Sequence, residues 1–168
     1  LEELGFKDLI VDINSMGDKD TRAGFIKELV SYYKKHAEHL CKDCKERIKT
    51  NPLRLLDCKQ ADCQPFKENA PSSLSHLSND ARSHFKEVLQ YLEEMGIAYR
   101  INNSLVRGLD YYTRTVFEVV KVDVDENGKE KEITITGGGR YDALAKMMGS
   151  KKDVPAVGTG LGIERIMM

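Results

Sequence analysis

The sequence lacks several features, and some of these absences exclude a class of protein. It has no tryptophan and only four prolines in 168 residues. No apolar run comes near the roughly 18 residues of a membrane-spanning helix, which excludes a membrane protein. It also lacks an excess of charge, because 26 basic residues face 27 acidic ones and the formal net charge is −1. Any RNA contact must therefore be local. Hydrophobic residues make up 40% of the chain, which excludes disorder.

The chain has no initiating methionine, and no basic segment followed by an apolar one at its start. It begins at Leu1 and ends at Met168 within a predicted helix, so we expect a piece of a longer cytoplasmic chain. Cysteine is scarce too, and the four cysteines fall within 23 consecutive residues. In a reducing compartment such a cluster favours a metal site or free thiols over disulfides.

Hydrophobic spacing predicts one strand followed by a long helical region. A β-branched run over 8–14 ends at a glycine turn and predicts the strand. Apolar residues at helical spacing predict one helix from about Thr21 and another from about Asp80, which Gly96 stops. Between the helices, 41–77 contains three of the four prolines and all four cysteines, and we expect it to be irregular.

After the second helix the hydrophobic period falls to two, which predicts a return to strands. Alternating residues over 97–101 and 113–124 form two such segments. Asn127 and Gly128 then supply the dipeptide of a tight hairpin, and 130–136 is the predicted partner strand.

The last part of the chain is rich in glycine. We expect Gly137–Gly139 to break the sheet, a short helix to run from about Tyr141 to Met148, and a glycine-rich entry from Val157 to lead into a final helix. The fold class predicted is α+β, a mostly antiparallel sheet with short helices that is interrupted by a mainly helical insertion. The expected boundaries are 1–17 and 96–168 for the sheet domain and 18–95 for the insertion.

Arginine and tyrosine are concentrated ahead of the strand predicted over 113–124. Alternation places Tyr112 and Arg114 on one face and Tyr111 on the other. Arg107 lies next to a glycine, and a guanidinium in that setting suits a planar anion such as phosphate or carboxylate. Core packing of the tyrosines and a surface position for Arg107 remain the alternatives.

Three consecutive glycines leave a stretch of chain with no side chains. Such a stretch allows a flat ligand to lie against the backbone, or it marks a bend. Neither GxGxxG after a strand nor GxxxxGK[ST] is present, so nothing supports a Rossmann or P-loop nucleotide site.

Five segments carry a more specific pattern. They read DINSMGD (12–18), NPLRLLDCK (51–59), LVRGLDYYTRTVFE (105–118), GGGRYDAL (137–144) and PAVGTGLGIERI (155–166). In order and separation the last three resemble signatures of histidyl-tRNA synthetase, a class II aminoacyl-tRNA synthetase, and the final one resembles class II motif 3. The first two also resemble the bacterial-type enzyme. The similarity covers essentially the whole chain. It implies part of the class II antiparallel sheet together with the helical insertion.

The resemblance implies a homodimeric cytoplasmic parent protein that joins histidine to tRNA(His) with ATP and Mg²⁺. Arg107 matches an arginine at the ATP α-phosphate, and it is expected to be catalytic and to contact histidine. Arg165 matches the motif 3 arginine, expected at the γ-phosphate. Tyr111, Tyr112 and Tyr141 match tyrosines of the histidine pocket. The glycines expected beneath ATP and histidine are Gly137, Gly138, Gly139 and Gly160.

The resemblance also implies what the 168 residues leave out. Motif 1, the motif 2 arginine loop and the anticodon-binding domain belong outside this segment, so we expect the isolated chain not to aminoacylate tRNA. A related regulatory subunit of ATP phosphoribosyltransferase is the alternative. That relative tends to lose the catalytic arginines, whereas Arg107, Arg114 and Arg165 are present here. A free-standing zinc or RNA-binding module would leave the tyrosine segments unexplained.

The four cysteines are spaced almost as in a structural Zn²⁺ site, as Cys41-x2-Cys44 and Cys58-x4-Cys63. Four reduced thiols in a loop are the alternative. The histidines that could replace a ligand are His36, His39, His76 and His84.

A basic cluster follows the first cysteine. It consists of Lys42, Lys45, Arg47, Lys49 and Arg54. It forms either a solvated face of the insertion or a contact with the tRNA acceptor stem, as the resemblance implies, and the sequence leaves both open.

Overall fold

The computed structural model describes residues 1–124, 128 and 130–167, which are organised around a five-stranded sheet. The strands are β1 (Leu9–Ser15), β2 (Tyr99–Ile101), β3 (Thr115–Val124), β4 (Glu130–Arg140) and β5 (Val157–Leu161). The helices are α1 (Lys19–Lys35), α2 (Lys42–Thr50), α3 (Gln64–Glu68), α4 (Asn79–Glu94), α5 (Leu144–Met147) and α6 (Ile163–Ile166). In the described residues, no helix combines the length and the apolar character that crossing a membrane requires.

The strand order in the sheet is β2-β1-β3-β4-β5. Strands β1 and β2 are parallel, with Val11 opposite Tyr99, and the other three pairs are antiparallel. The predicted hairpin between β3 and β4 is confirmed, and Gly128 has a φ of +77°, whereas Asn127 lies outside the described residues. The α+β class and the mostly antiparallel sheet are therefore confirmed.

Helix α4 covers one face of the sheet, called here the back face, on which Ile13 and Phe117 lie opposite each other. Its apolar residues recur at helical spacing and pack on that face, and Phe85 is 5% exposed. The Ser78 hydroxyl accepts a hydrogen bond from the Ala81 N–H and caps its start. Because α4 connects the parallel strands β1 and β2, it is the crossover helix of a βαβ unit.

The opposite, front face carries Asp12, Val116 and Glu118. Val116 is fully buried there and joins the core of the insertion, which α1 supplies through Phe25 and Leu29. The insertion and the sheet consequently share a continuous hydrophobic cluster.

The prediction that 41–77 is irregular was wrong in its first part. Residues Lys42–Thr50 form α2, in which Cys44 and Ile48 lie four positions apart on one buried stripe. The remainder consists of short 3-10 turns and the single-turn helix α3. Many charged residues around two apolar ones obscured the helical pattern.

The prediction that Gly137–Gly139 break the sheet was also wrong. These glycines continue β4 to Arg140 and pair with strands on both sides. A Cβ on Gly138 would lie 2.1 Å from the carbonyl oxygen of Gly158, so the close approach of β4 and β5 requires glycine. Paired hydrogen bonds thus outweigh the low strand propensity of glycine.

Two boundaries near the end of the chain differ from the prediction for related reasons. Val157–Leu161 forms strand β5 rather than an entry into a helix, because the glycines allow it to pair with β4. The final helix is the single turn Ile163–Ile166, and the helix expected from Tyr141 is shortened to Leu144–Met147.

Asp18 links the starts of both long helices. One carboxylate oxygen accepts the Thr21 N–H at 2.9 Å, and the other accepts the Ser78 hydroxyl at 2.6 Å. The hydrogen bond from Ser78, followed by the one from the Thr21 backbone, lowers the pKa of Asp18 from its ordinary value of 3.8. The ionised carboxylate therefore stabilises the folded state at neutral pH.

We expect Asp18→Ala to lower the free energy of unfolding at pH 7 by about 1 kcal/mol or more, because it removes a helix cap. The stabilisation is fully present above pH 3.8 and is lost as the pH falls through the lower pKa of the folded state. Urea unfolding of wild type and variant at pH 7 and in acid measures this. The exposed Asp20→Ala is the matched control, and an Asp18 effect that persists unchanged in strong acid would contradict the assignment.

Candidate active site

The loop between β2 and β3 carries the arginine and tyrosines that the sequence singled out. Its first part is fixed by Asn14, which is fully buried and donates from its amide to the carbonyl oxygen of Leu105 at 3.0 Å. Leu105 is itself buried in the core of the insertion. The residues that follow therefore leave the core at a defined point on the front face.

Arg107 lies over Gly137 on the front face of the sheet. Its Nη2 donates to the carbonyl oxygen of Phe117 at 2.8 Å, and its Nη1 is 3.4 Å from a carboxylate oxygen of Glu118. A Cβ on Gly137 would lie 1.6 Å from Nη2, so the guanidinium occupies the space that a side chain would fill. Arg107 is thus a fixed, half-buried cation, and its role at an anion site stays a prediction.

Tyr111, Tyr112 and Tyr141 form one cluster. The ring centroids of Tyr111 and Tyr112 are 4.6 Å apart, and those of Tyr141 are 5.8 and 6.1 Å from them. The prediction that Tyr111 and Tyr112 face opposite sides of a strand was wrong, because they precede β3 in a loop that does not alternate. The three rings therefore lie together, and their role as a histidine pocket stays a prediction.

The glycines of β4 and β5 make room for this cluster. A Cβ on Gly139 would lie 2.9 Å from the ring of Tyr112, and one on Gly158 would lie 2.3 Å from the hydroxyl of Tyr141. Burial, followed by hydrogen bonding with Tyr111, raises the pKa of Tyr112, whereas the charge of Arg107 acts in the opposite direction. The tyrosine cluster and the arginine therefore share the glycine-lined front face.

Arg165 borders the same face from the other end of the glycine strands. It is exposed, and its Nη1 donates to the carbonyl oxygen of Thr134 at 2.5 Å. An open cleft of about 660 Å³ contains both Arg107 and Arg165, with Gly137 and Gly160 in its wall. Two cations that face one cleft floored by glycine suit a ligand with several phosphate groups.

Glu118 is a candidate site residue that sequence reasoning missed. It lies directly opposite Asp12 in the sheet, and two like charges in that position destabilise a strand pair. Each has its own arginine, because Arg107 contacts Glu118 while Arg100 binds Asp12. The register that would have revealed this pairing depends on strands that are far apart in sequence.

Arg22 was missed as well, although it connects the insertion to the site. From α1 it donates to the backbone carbonyl oxygens of Asp110 and Tyr112, on either side of Tyr111. Burial lowers its pKa, and the charge of Asp110 raises it. Arg22 therefore fixes the tyrosine loop from outside the sheet.

The insertion also contributes directly to the cleft. Asp57 and Lys59 from the NPLRLLDCK segment line it together with Arg107. Gly108 faces the same segment, because its Cβ would lie 3.9 Å from the side chain of Arg54. The other predicted site, Cys41, Cys44, Cys58 and Cys63, lies inside the insertion, and the four sulfur atoms are brought together.

Comparisons with known proteins identify the family of the chain. A family model described as histidyl-tRNA synthetase matches residues 27–166. The chain belongs to the histidyl-tRNA synthetase family. The histidine–tRNA ligase of Halothermothrix orenii is 44% identical over 172 residues, which cover 100% of this chain and 39% of that protein. The ligase of Clostridium kluyveri is 43% identical over 167 residues, with 99% and 38% covered. The chain thus spans well under half the length of these relatives.

Solved structures of the histidyl-tRNA synthetase family share the fold. The apo enzyme of S. aureus superposes with a TM-score of 0.69 at 31% identity, over 99% of this chain and 39% of that chain. A Bacillus halodurans protein described as an ATP phosphoribosyltransferase regulatory subunit/histidyl-tRNA synthetase has a TM-score of 0.50 at 19% identity, over 96% and 44%. At that identity the second likeness shows the fold alone.

Proposed function

We propose that the full-length protein containing this chain is a histidine–tRNA ligase. It activates histidine with ATP and transfers the histidyl group to tRNA(His), and its activity lies in the cytoplasm, where ATP and tRNA are used. The observation that carries the proposal is the fixed guanidinium of Arg107 on a glycine floor, beside three clustered tyrosines, in a chain of this family.

Activation requires an anion clamp at the reacting phosphorus. A carboxylate oxygen of histidine attacks the α-phosphorus of ATP, a new P–O bond forms, and the bond to the departing pyrophosphate breaks. Negative charge grows on the α-phosphate oxygens in the transition state. The guanidinium of Arg107 is held in place by the carbonyl oxygen of Phe117 and the carboxylate of Glu118. It can therefore stabilise that charge with little reorganisation.

The tyrosine cluster is the proposed histidine pocket. Tyr111, Tyr112 and Tyr141 offer three phenol groups and aromatic walls, which suit an imidazole ring that both donates and accepts hydrogen bonds. Glu118 offers a carboxylate near the guanidinium, and a carboxylate there can pair with the ammonium group of an amino acid.

The cleft beyond Arg107 is the proposed ATP site. Arg165 is expected to contact the γ-phosphate, and Mg²⁺ enters with ATP as part of the substrate complex. The glycines allow the nucleotide to lie against the backbone of β4 and β5. They are Gly137, Gly138, Gly139 and Gly160.

The activity of the isolated chain, its oligomeric state, its domain division and its RNA contact are also part of the proposal. The 168 residues span 39% of a matched relative, so we expect them alone not to aminoacylate tRNA, and we expect the full-length protein to form a homodimer. The division into 1–17, 18–95 and 96–168 also remains a prediction. Lys42, Lys45 and Lys49 are exposed on α2, where they can meet RNA phosphates.

Histidine-dependent ATP–pyrophosphate exchange with the full-length protein tests this function. We expect exchange with histidine and none with other amino acids, because the proposed pocket offers phenol groups that can hydrogen-bond an imidazole. A folded protein that binds histidine but supports no exchange would contradict the proposal. That outcome would favour a regulatory role of the kind named for the Bacillus halodurans neighbour.

A further inference from the structure

The strongest feature outside the proposed active site is the cysteine cluster of the insertion. Its sulfur atoms all lie within 4.8 Å of one another, and those of Cys41 and Cys58 are 3.9 Å apart. Cys44, Cys58 and Cys63 are buried, and Cys41 is half-buried at the start of α2. Residues 22 positions apart in sequence thus converge on one point in the described part of the chain.

The spacing of the sulfur atoms suits a single metal ion. A Zn–S bond of about 2.3 Å in a tetrahedron separates the sulfur atoms by about 3.8 Å, close to the distance observed between Cys41 and Cys58. In a four-iron iron–sulfur cluster, the four cysteine sulfur atoms are held on the outside of a cube of iron and sulfide. They are therefore farther apart than the sulfur atoms around a single metal ion. Among metals, four thiolates in this arrangement select zinc or a close substitute.

A backbone N–H also points at one of these sulfur atoms. The N–H of Cys41 donates to the sulfur of Cys63 at 3.4 Å. Donors of this kind stabilise thiolates, the form of cysteine that binds metal.

An independent observation comes from Tyr33 on α1. It is 1% exposed, and in the described residues its buried hydroxyl has no hydrogen-bond partner. It packs in the same hydrophobic cluster as Cys44, Cys58 and Cys63. A neutral thiol is a weak acceptor, whereas a metal-bound thiolate accepts a hydrogen bond readily.

We propose that Cys41, Cys44, Cys58 and Cys63 bind one structural Zn²⁺, with Tyr33 as a hydrogen-bond donor to the thiolate group. Binding releases the thiol protons, and the ion keeps its charge and oxidation state throughout. The ion joins the start of α2 to the segment that contains Cys58 and Cys63. Because Asp57 and Lys59 flank Cys58, the same ion fixes one wall of the cleft that contains Arg107.

Metal content is the first test. We expect the full-length protein, purified under reducing conditions without chelators, to carry one zinc per chain by mass spectrometry of the metal. Cys58→Ser and Cys63→Ser are expected to lose it, whereas the matched His39→Gln, an exposed residue beside the cluster, retains it. Protein without zinc that also takes up no Co²⁺ would overturn the proposal, and so would iron with sulfide in place of zinc.

Co²⁺ substitution keeps the test independent of variants that fail to fold. We expect intense sulfur-to-cobalt charge-transfer bands and the visible absorption of tetrahedral cobalt in the wild-type protein. In Cys41→Ser, which alters the most exposed ligand, the charge-transfer intensity should fall while the visible bands remain. An octahedral cobalt spectrum in the wild type would refute a four-thiolate site.

Tyr33→Phe tests the hydrogen-bond donor. We expect the zinc content to be unchanged and the affinity to fall by about 10- to 100-fold in competition with a chromophoric chelator. The neighbouring Tyr32→Phe is the control, because the Tyr32 hydroxyl donates to the carbonyl oxygen of Phe66 instead. Equal affinities in both variants would remove Tyr33 from the site, and none of these measurements depends on ligase activity.

Discussion

Replacement of Arg107 by alanine should lower histidine-dependent ATP–pyrophosphate exchange by about 10²- to 10³-fold in the full-length protein, since one fixed donor to a developing oxyanion is removed. The guanidinium is held by the carbonyl oxygen of Phe117 and by Glu118, so no solvent reorganisation is needed when charge develops. The loss should appear mainly in kcat, because the interaction strengthens in the transition state. Steady-state exchange over a range of histidine and ATP concentrations separates kcat from KM.

Arg82→Ala, on the exposed side of α4, is the matched control and should exchange at the wild-type rate. Thermal unfolding should be measured for both variants, because loss of Arg107 removes an ion-pair partner of Glu118, which lies opposite Asp12 in the sheet. A folded Arg107→Ala protein with wild-type kcat would show that the arginine does not stabilise the transition state.

Gly137→Ala is expected to reduce exchange as strongly as the loss of the arginine itself. The new Cβ would lie 1.6 Å from Nη2 of Arg107, so the guanidinium must leave its position over the sheet. The atom displaced is the far end of a flexible side chain, and no backbone atom is approached as closely at this glycine. Unfolding should therefore change far less than exchange does, and thermal melts and exchange assays on one preparation measure both.

The double variant Arg107→Ala, Gly137→Ala isolates the mechanism. Once the arginine is absent the methyl group has nothing to displace, so the second substitution should add less than about a twofold further loss. Gly24→Ala in α1 is the control, because its Cβ would make an ordinary contact 3.8 Å from His76 and alanine favours a helix. Losses that multiply in the double variant would contradict displacement of Arg107 as the cause.

The parts of the fold with local signals were predictable from sequence. Helix α4 has a serine cap, an apolar stripe and a glycine after its end, and strand β1 is a short β-branched run. Each of these signals acts within a few residues, so no knowledge of tertiary contacts is needed.

The glycine strands could not be predicted in the same way. The propensity of Gly137–Gly139 points away from a strand, and only the partners β3 and β5 make them one. The pairing of Arg107 with Glu118 depends on those partners too, because the guanidinium lies where Gly137 has no side chain. Tertiary contacts therefore decided the places where local reasoning failed.

The site residues were identified by their resemblance to a family, and their arrangement came from the structure. Spacing alone could not bring Tyr141 to Tyr111 and Tyr112, since the hairpin of β3 and β4 separates them in sequence. The cysteines were a different case, because thiol chemistry makes clustered cysteines informative before any contact is known.

The crossover helix α4 has a consequence for how the chain folds. Strand β1 pairs with β2 and β3, which follow it roughly a hundred residues later, and such distant pairings slow folding. While the protein is synthesised, β1 lacks its full set of partner strands until β3 has left the ribosome. Helices α1 and α2 find most of their packing partners within 19–56, which are synthesised much earlier. We therefore expect the helices of the insertion to form first and the sheet that carries Arg107 to close last.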